Sequence, residues 1–132
     1  MDLEVLNIAA DTDNNRDIKN RTHVSKLKNS ICGDEMQIEL VLKNEKILDF
    51  GYQGKSCVYC QASASLLSKI SINSEKEKIN DLCDKAELYF SEDIEIIDKK
   101  WYSLKKLIKK KNINKKDCIL LPFKTLKKIV SI

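Results

Sequence analysis

Between Met36 and Gln53 apolar and polar side chains alternate residue by residue, and no other stretch limits the possible folds so strongly. Met36, Ile38, Leu40 and Leu42 fall on one face, with Gln37, Glu39 and Val41 on the other, which is the period of a half-buried strand. Lys43, Asn44 and Glu45 make a turn. Leu48, Phe50 and Tyr52 then alternate with Asp49, Gly51 and Gln53 in a second strand, so the two form an antiparallel hairpin. Gly51 and Gly54 mark a tight change of direction after it.

A hairpin alone is marginal in water and needs a cover for its apolar face. The rest of the chain supplies helices. Cys57 to Ile70 reads as a helix whose small residues Ala62, Ser63, Ala64 and Ser65 permit close approach to the sheet. Ile79, Leu82, Cys83 and Ala86 recur at helical spacing, as do Trp101, Leu104 and Ile108, which predicts two further amphipathic helices. Cys83 falls on the first apolar face and is assigned to the core. A last helix carries Ile119, Phe123, Leu126 and Val130 on one side, with Cys118 preceding it and Pro122 in its first turn. At the other end, Leu3 to Ala10 is a short helix, and the polar stretch Asp11 to Ser30 is expected to be an extended, partly mobile connection. His23 lies in that stretch and reads as a solvated side chain that could swing toward a metal site.

These patterns give an α+β domain, a small antiparallel sheet of about three strands packed on one face by helices. A chain of 132 residues that is 42% hydrophobic fits one domain, with residues 1–28 an N-terminal helix and flexible segment and residues 29–132 the core. The acidic start lacks the basic character of a secretory or mitochondrial address, and no apolar run approaches the roughly 20 residues that cross a bilayer. A cytoplasmic protein with no membrane partner is expected. Net charge of +4 hides an acidic stretch, Glu75 to Asp98, followed by a lysine-rich one, Lys99 to Ile132. The second has no arginine, few aromatics and no reading motif, so a solvated helix face is favoured over nucleic-acid binding.

Five cysteines at irregular spacing do not form a disulfide framework, and in a reducing compartment metal binding or sulfur chemistry is the better use. Cys32 with Asp34, then Cys57, then Cys118 offer three thiols and a carboxylate, separated by 25 and 61 residues between the cysteines. Such a set suits zinc or an iron–sulfur cluster, closed by the fold rather than by local spacing. A helix starting near Cys57 directs free amides at the thiols and favours thiolate. Cys60 makes a Cys-x-x-Cys with Cys57 and competes with Asp34 as fourth ligand.

The words around these residues are more specific. Asn-Ser-Ile-Cys-Gly-Asp before a strand, Gly-Lys-Ser-Cys-Val-Tyr-Cys-Gln-Ala-Ser-Ala-Ser, and Asp-Cys-Ile-Leu-Leu-Pro-Phe-Lys-Thr-Leu resemble, in order, the three signature stretches of the NifU/IscU-type iron–sulfur assembly scaffolds. The likeness runs from about Asn29 to the C-terminus. The insertion from Ser74 to Asn114 resembles that of the SUF-associated, SufU-like branch. The resemblance implies a SufE/NifU-like fold with Cys32, Asp34, Cys57 and Cys118 gathered at one edge to hold zinc or a cluster, 2Fe–2S if a cluster. It also implies a scaffold or sulfur carrier rather than an enzyme turning over a metabolite. The partners implied are a SufS-like cysteine desulfurase and client apoproteins. Ser56 stands where the family usually has glycine, and Asp117 where relatives carry histidine or lysine.

A carboxylate in place of a fourth thiolate weakens the hold on a soft cluster and eases its transfer. With zinc, release of one thiolate frees a nucleophile that can accept persulfide sulfur. Cys32, on a loop, is the first candidate persulfide acceptor and Cys118 the second. Two other classes remain open at this point: a thiol–disulfide redox protein using Cys57 and Cys60, and a structural zinc module in which Cys60 replaces Asp34. Lys115 and Lys116 flank the third cysteine and are expected to offset the site's negative charge and to help dock a desulfurase.

Overall fold

The computed structural model of the chain describes residues 2–91, 95, 96 and 98–132, so Glu92 and Asp93 of the acidic stretch lie outside the described residues. Three strands form one antiparallel sheet in the order β1 (His23–Lys28), β2 (Glu35–Lys43), β3 (Lys46–Gln53). Among the described residues four α-helices accompany it: α1 (Leu3–Ala9), α2 (Val58–Ser71), α3 (Lys76–Ser91) and α4 (Lys116–Val130). The α+β architecture expected from the alternation is the one observed.

The hairpin forms where the pattern puts it, with a tighter turn. Lys43 pairs with Lys46, leaving Asn44 and Glu45 as a two-residue loop at φ 53° and 63°. Two successive left-handed residues match the twist of the flanking strands. The expected face of β3 is correct only in part. Val41 pairs with Asp49 but Leu42 with Ile47, so Leu48 is the extra residue of a bulge. The bulge turns Ile47 inward to full burial and leaves Leu48 42% exposed, because one inserted residue reverses the side-chain alternation beyond it.

Met36, Ile38, Leu40, Ile47, Phe50 and Tyr52 make the buried face of the sheet. Helix α4 lies across β1 and β2, and α2 packs on β3 and on α4. Helix α3 closes the outer side of α4, and α1 that of α2. Ser63 of α2 donates to the Ile119 carbonyl at 2.6 Å, which fixes the two inner helices side by side. Cys83 is buried on α3, as expected.

The stretch Asp11 to Ser30 is not a mobile connection. Its second half is β1, paired with β2 from His23 opposite Leu40 to Lys28 opposite Glu35. Its first half is a strap over the outward face of the sheet. Asn14 accepts from the Tyr52 amide, and Arg16 pairs with Asp49 at 2.7 Å. Ile18 is buried, and its amide donates to the buried Glu39 carboxylate at 2.8 Å, which also receives Arg21 at 2.7 Å. Gly51 does not turn the chain. A Cβ there would stand 2.4 Å from the Arg16 carbonyl oxygen, so glycine admits the strap against β3. The polar residues that read as a loop are the ones that hold this strap, a tertiary use invisible to local propensity.

Two other expectations change. Residues around Trp101 and Leu104 form 3-10 rather than α-helix, at Lys99–Lys106 and Lys110–Lys115, though Trp101, Leu104 and Ile108 are buried. Spacing of three serves a 3-10 turn as well as an α-helix. Pro122 sits in the second turn of α4, and Cys118 lies inside the first turn rather than before it. Burial of Ile119 through Phe123 outweighs the cost of an internal proline, which is about 3 kcal/mol. Among the described residues no helix is long and apolar enough to cross a membrane.

Candidate metal centre

Three elements converge at one edge of the sheet. The loop between β1 and β2 brings Cys32 and Asp34; the start of α2 brings Cys57; the first turn of α4 brings Cys118. The loop is shaped by Asn29, whose side chain accepts from the Ile31 amide at 2.9 Å and whose carbonyl accepts from Gly33 at 2.8 Å. Gly33, at φ 77°, makes the left-handed step that returns the chain toward Asp34. Asn29 then donates its amide to the Asp34 carbonyl at 2.7 Å, closing the loop. Asn29 carried no assigned role in the sequence, although Asn is a residue that turns the chain by accepting from the amide two residues on.

One ligand atom from each of Cys32, Asp34 and Cys118 lies within 4.8 Å of the others. Two thiolates on one tetrahedral zinc lie about 3.8 Å apart, so this spacing needs little closure. Cys57 stands outside that triangle but its thiol contacts Cys118. Cys57 is the N-cap of α2 and makes no side-chain capping bond, so its sulfur is not engaged by the helix. Cys32 is exposed, Cys57 half-buried, and Asp34 and Cys118 are buried. Asp34 Oδ2 is fully buried with no hydrogen-bond partner. A carboxylate oxygen withdrawn from water without a donor is costly, and a metal ion among the thiols satisfies it. The donor set fits zinc or an iron–sulfur cluster on this ground.

Cys60 is not part of the triangle. It lies in the first turn of α2, fully buried, beside the hydroxyl of Ser56. Burial pushes its thiol up to about 12 although Ser56 pulls the other way. His23 is exposed at the far end of β1 from Lys28, five residues or about 16 Å away along the strand, and does not approach the site. Cys118 lies in the first turn of α4. Burial pushes that thiol well up, and the neighbouring Cys57, Cys32 and Asp34 push it further. Desolvation and like charge outweigh the helix end while no cation is present, so metal entry must release protons.

Lys115 lies over the Tyr59 ring at 5.7 Å, tying the approach to α4 to the first turn of α2. A model of the NifU-like N-terminal domain family matches residues 4–86.

This chain belongs to the NifU/IscU-type iron–sulfur scaffold family.

The matched residues include Cys32, Asp34 and Cys57; the fold adds Cys118. Over 114 residues the chain is 32% identical to an uncharacterised protein of Borreliella burgdorferi, covering 86% of this chain and 79% of that one. Over 66 residues it is 36% identical to the iron–sulfur cluster assembly scaffold protein IscU of Thermotoga maritima, covering 50% of this chain and 46% of that protein. Two solved structures share the fold. The N-terminal part of a NifU-like protein from Brucella abortus superposes with a TM-score of 0.89 at 16% identity, covering 98% of this chain and 91% of the other. A candidate scaffold protein for the SUF system from Fervidobacterium islandicum does so with 0.86 at 24% identity, covering 96% and 93%. The shared fold is, in this chain, a three-stranded sheet under helices.

Proposed function

We propose that this scaffold receives sulfur from a cysteine desulfurase and assembles or relays an iron–sulfur precursor on Cys32, Asp34, Cys57 and Cys118. The observation that carries the reading is the triangle of Cys32, Asp34 and Cys118, in which the buried Asp34 keeps one oxygen without a hydrogen-bond partner. Asp34, rather than Cys60, is the fourth donor. Cys32 is the entry thiol because it alone of the four is exposed, on a loop that an incoming persulfide can reach. Cys118 is the next acceptor inward.

The SufU-like assignment rests on the long segment between the second and third cysteines and on the likeness to the Fervidobacterium structure. It favours zinc as the resting occupant: zinc holds the thiolates ready and releases one as nucleophile when a persulfide arrives. An iron–sulfur cluster is then cargo, held less tightly through the carboxylate than through a fourth thiolate. Lys115 and Lys116 beside Cys118 offer positive charge to a desulfurase of complementary surface, in the cytoplasm where thiols stay reduced.

Anaerobic purification, metal analysis and a visible absorption spectrum test the occupant; a desulfurase with cysteine tests sulfur acceptance. Persulfide on Cys32 that is lost in Cys32→Ser, together with metal that is lost in Asp34→Ala, is the expected result. A protein that keeps its metal in Asp34→Ala and takes no sulfur from any desulfurase overturns the reading. Reversing charge at Lys115 and Lys116 should weaken the desulfurase complex and flatten its salt dependence.

A further inference from the structure

Cys60 is the one thiol near the site that the ligand set leaves unused, and three observations give it a task. First, it follows Cys57 by three residues, with Cys57 as the extended N-cap (φ −72°, ψ 170°) and Cys60 one turn into α2. An N-cap side chain turns over the first turn toward the residue three further on, Cys57 is near enough for its charge to raise the Cys60 thiol, and a Cys-x-x-Cys at a helix start is a spacing that closes a disulfide. Second, Cys60 is fully buried while Cys57 is half-buried, and both are free thiols. Third, Ser56, which stands where the family usually has glycine, is a hydrogen-bonding neighbour of the Cys60 thiol. Its hydroxyl is oriented by Gln61, whose Nε2 donates to Ser56 Oγ at 2.6 Å.

We propose that Cys60 is the resolving thiol that discharges sulfur carried by Cys57 as hydrosulfide. The proposal rests on the sulfur-accepting reading above. Cys118 touches Cys57 and lies within 4.8 Å of Cys32, so a persulfide entering at Cys32 can pass inward by successive attack of each thiolate on the terminal sulfur, with no net redox change. Once Cys57 carries Sγ–S–H, the Cys60 sulfur attacks the Cys57 Sγ. The Cys57–Cys60 disulfide bond forms and the persulfide S–S bond breaks. The terminal sulfur leaves with the bonding electron pair and takes the Cys60 proton. The departing sulfur is reduced from the persulfide to the sulfide level as the Cys60 sulfur is oxidised from thiol to disulfide, and the Cys57 sulfur, already oxidised in the persulfide, is unchanged. A dithiol reductant then attacks the accessible Cys57 sulfur, expels Cys60, and returns Cys57 as a ligand.

Burial gives the pair its direction. Cys60 is shielded from external donors, so it does not collect sulfur itself; it meets only what Cys57 presents. The chemistry places sulfide, rather than sulfane sulfur, beside the carboxylate and thiols where iron would bind.

The test uses the full chain, anaerobic and metal-free, loaded with inorganic polysulfide so that no desulfurase is needed, then freed of excess reagent. With no external reductant, the wild type should release hydrosulfide. The Ser56–Lys69 peptide should become lighter by two hydrogens, marking the Cys57–Cys60 bond. Cys60→Ser and Cys60→Ala should keep the extra sulfur on Cys57 and release sulfide about tenfold more slowly or less. Two variants of different polarity guard against loss of folding in one of them. Equal release from wild type and both variants, or a disulfide mapped to Cys32 or Cys118 instead, overturns the proposal. A repeat with desulfurase and cysteine separates the two readings: loading by polysulfide but not by desulfurase refutes the delivery step and leaves the Cys60 discharge standing.

Discussion

Replacing Asp34 with alanine should stabilise the protein without metal and destabilise it with metal. Asp34 is 9% exposed and its Oδ2 is buried with no hydrogen-bond partner. An unsatisfied buried polar atom costs about 1–3 kcal/mol. Its contact with the Cys118 thiol, a weak donor, and the packing of the carboxyl carbon return part of this. The net gain on removal is about 1 kcal/mol. At about 2.1 cal/mol/K per residue, a 132-residue chain unfolds with an entropy near 280 cal/mol/K, so that gain raises the metal-free Tm by about 3–4 °C. With zinc the balance reverses. A hundredfold loss of affinity on removing one of four donors lowers zinc-linked stabilisation by about 2.7 kcal/mol, or roughly 10 °C. Cys60→Ala gives the opposite pattern: loss of a buried sulfur costs about 1 kcal/mol with or without zinc, and the zinc increment is unchanged. Trp101, the sole tryptophan and 8% exposed, supplies the fluorescence for melts in chelator and in zinc. If Asp34→Ala lowers the metal-free Tm and keeps the full zinc increment, the argument from the orphaned oxygen is wrong.

Other perturbations probe the scaffold beneath the site. Glu39→Ala leaves the buried Ile18 amide without its acceptor and frees Arg21; a loss of about 2 kcal/mol in urea unfolding is expected, with faster hydrogen exchange across residues 14–22. Gly51→Ala forces a Cβ to 2.4 Å from the Arg16 carbonyl and should cost about 1–3 kcal/mol while metal retention at the far edge persists. Leu48→Ser should change stability by less than about 0.5 kcal/mol and Ile47→Ser by about 3 kcal/mol or more, measured by denaturant midpoint; the reverse order would remove the bulge from β3. At Asp49, burial raises the carboxyl, but the Arg16 hydrogen bond and the Phe50 amide outweigh it and hold it below 3.8. Its stabilisation is therefore present above about pH 4 and lost as pH falls through the folded value. Because the pair is more than a third exposed, the contribution is well under about 1 kcal/mol, and Asp49→Asn should remove only a shallow part of the acid limb in a pH-dependent melt.

Where a local rule and the tertiary contacts agreed, the sequence was sufficient. Period two from Met36 to Leu42 and the small residues of α2 located the hairpin and the helix that covers it, since burial on one face leaves only one register. The site was legible as words around Cys32, Asp34, Cys57 and Cys118 rather than as spacing. Where the contacts came from outside the window, reading failed. Polar residues such as Asn14, Arg16 and Arg21 looked like loop because their partners Tyr52, Asp49 and Glu39 lie at least 18 positions away. The bulge at Leu48 exchanged one good inward hydrophobe for another, and composition does not distinguish them.

By itself the sequence determined the fold class and the family and named the candidate donors, because alternation, helical spacing and the signature words are local. Only the tertiary structure decided which donors meet. It set Asp34 in the triangle and Cys60 outside it, buried but within reach of Cys57. It also raised the Cys118 thiol, since burial and neighbouring charge are sums over the whole fold that no local word carries.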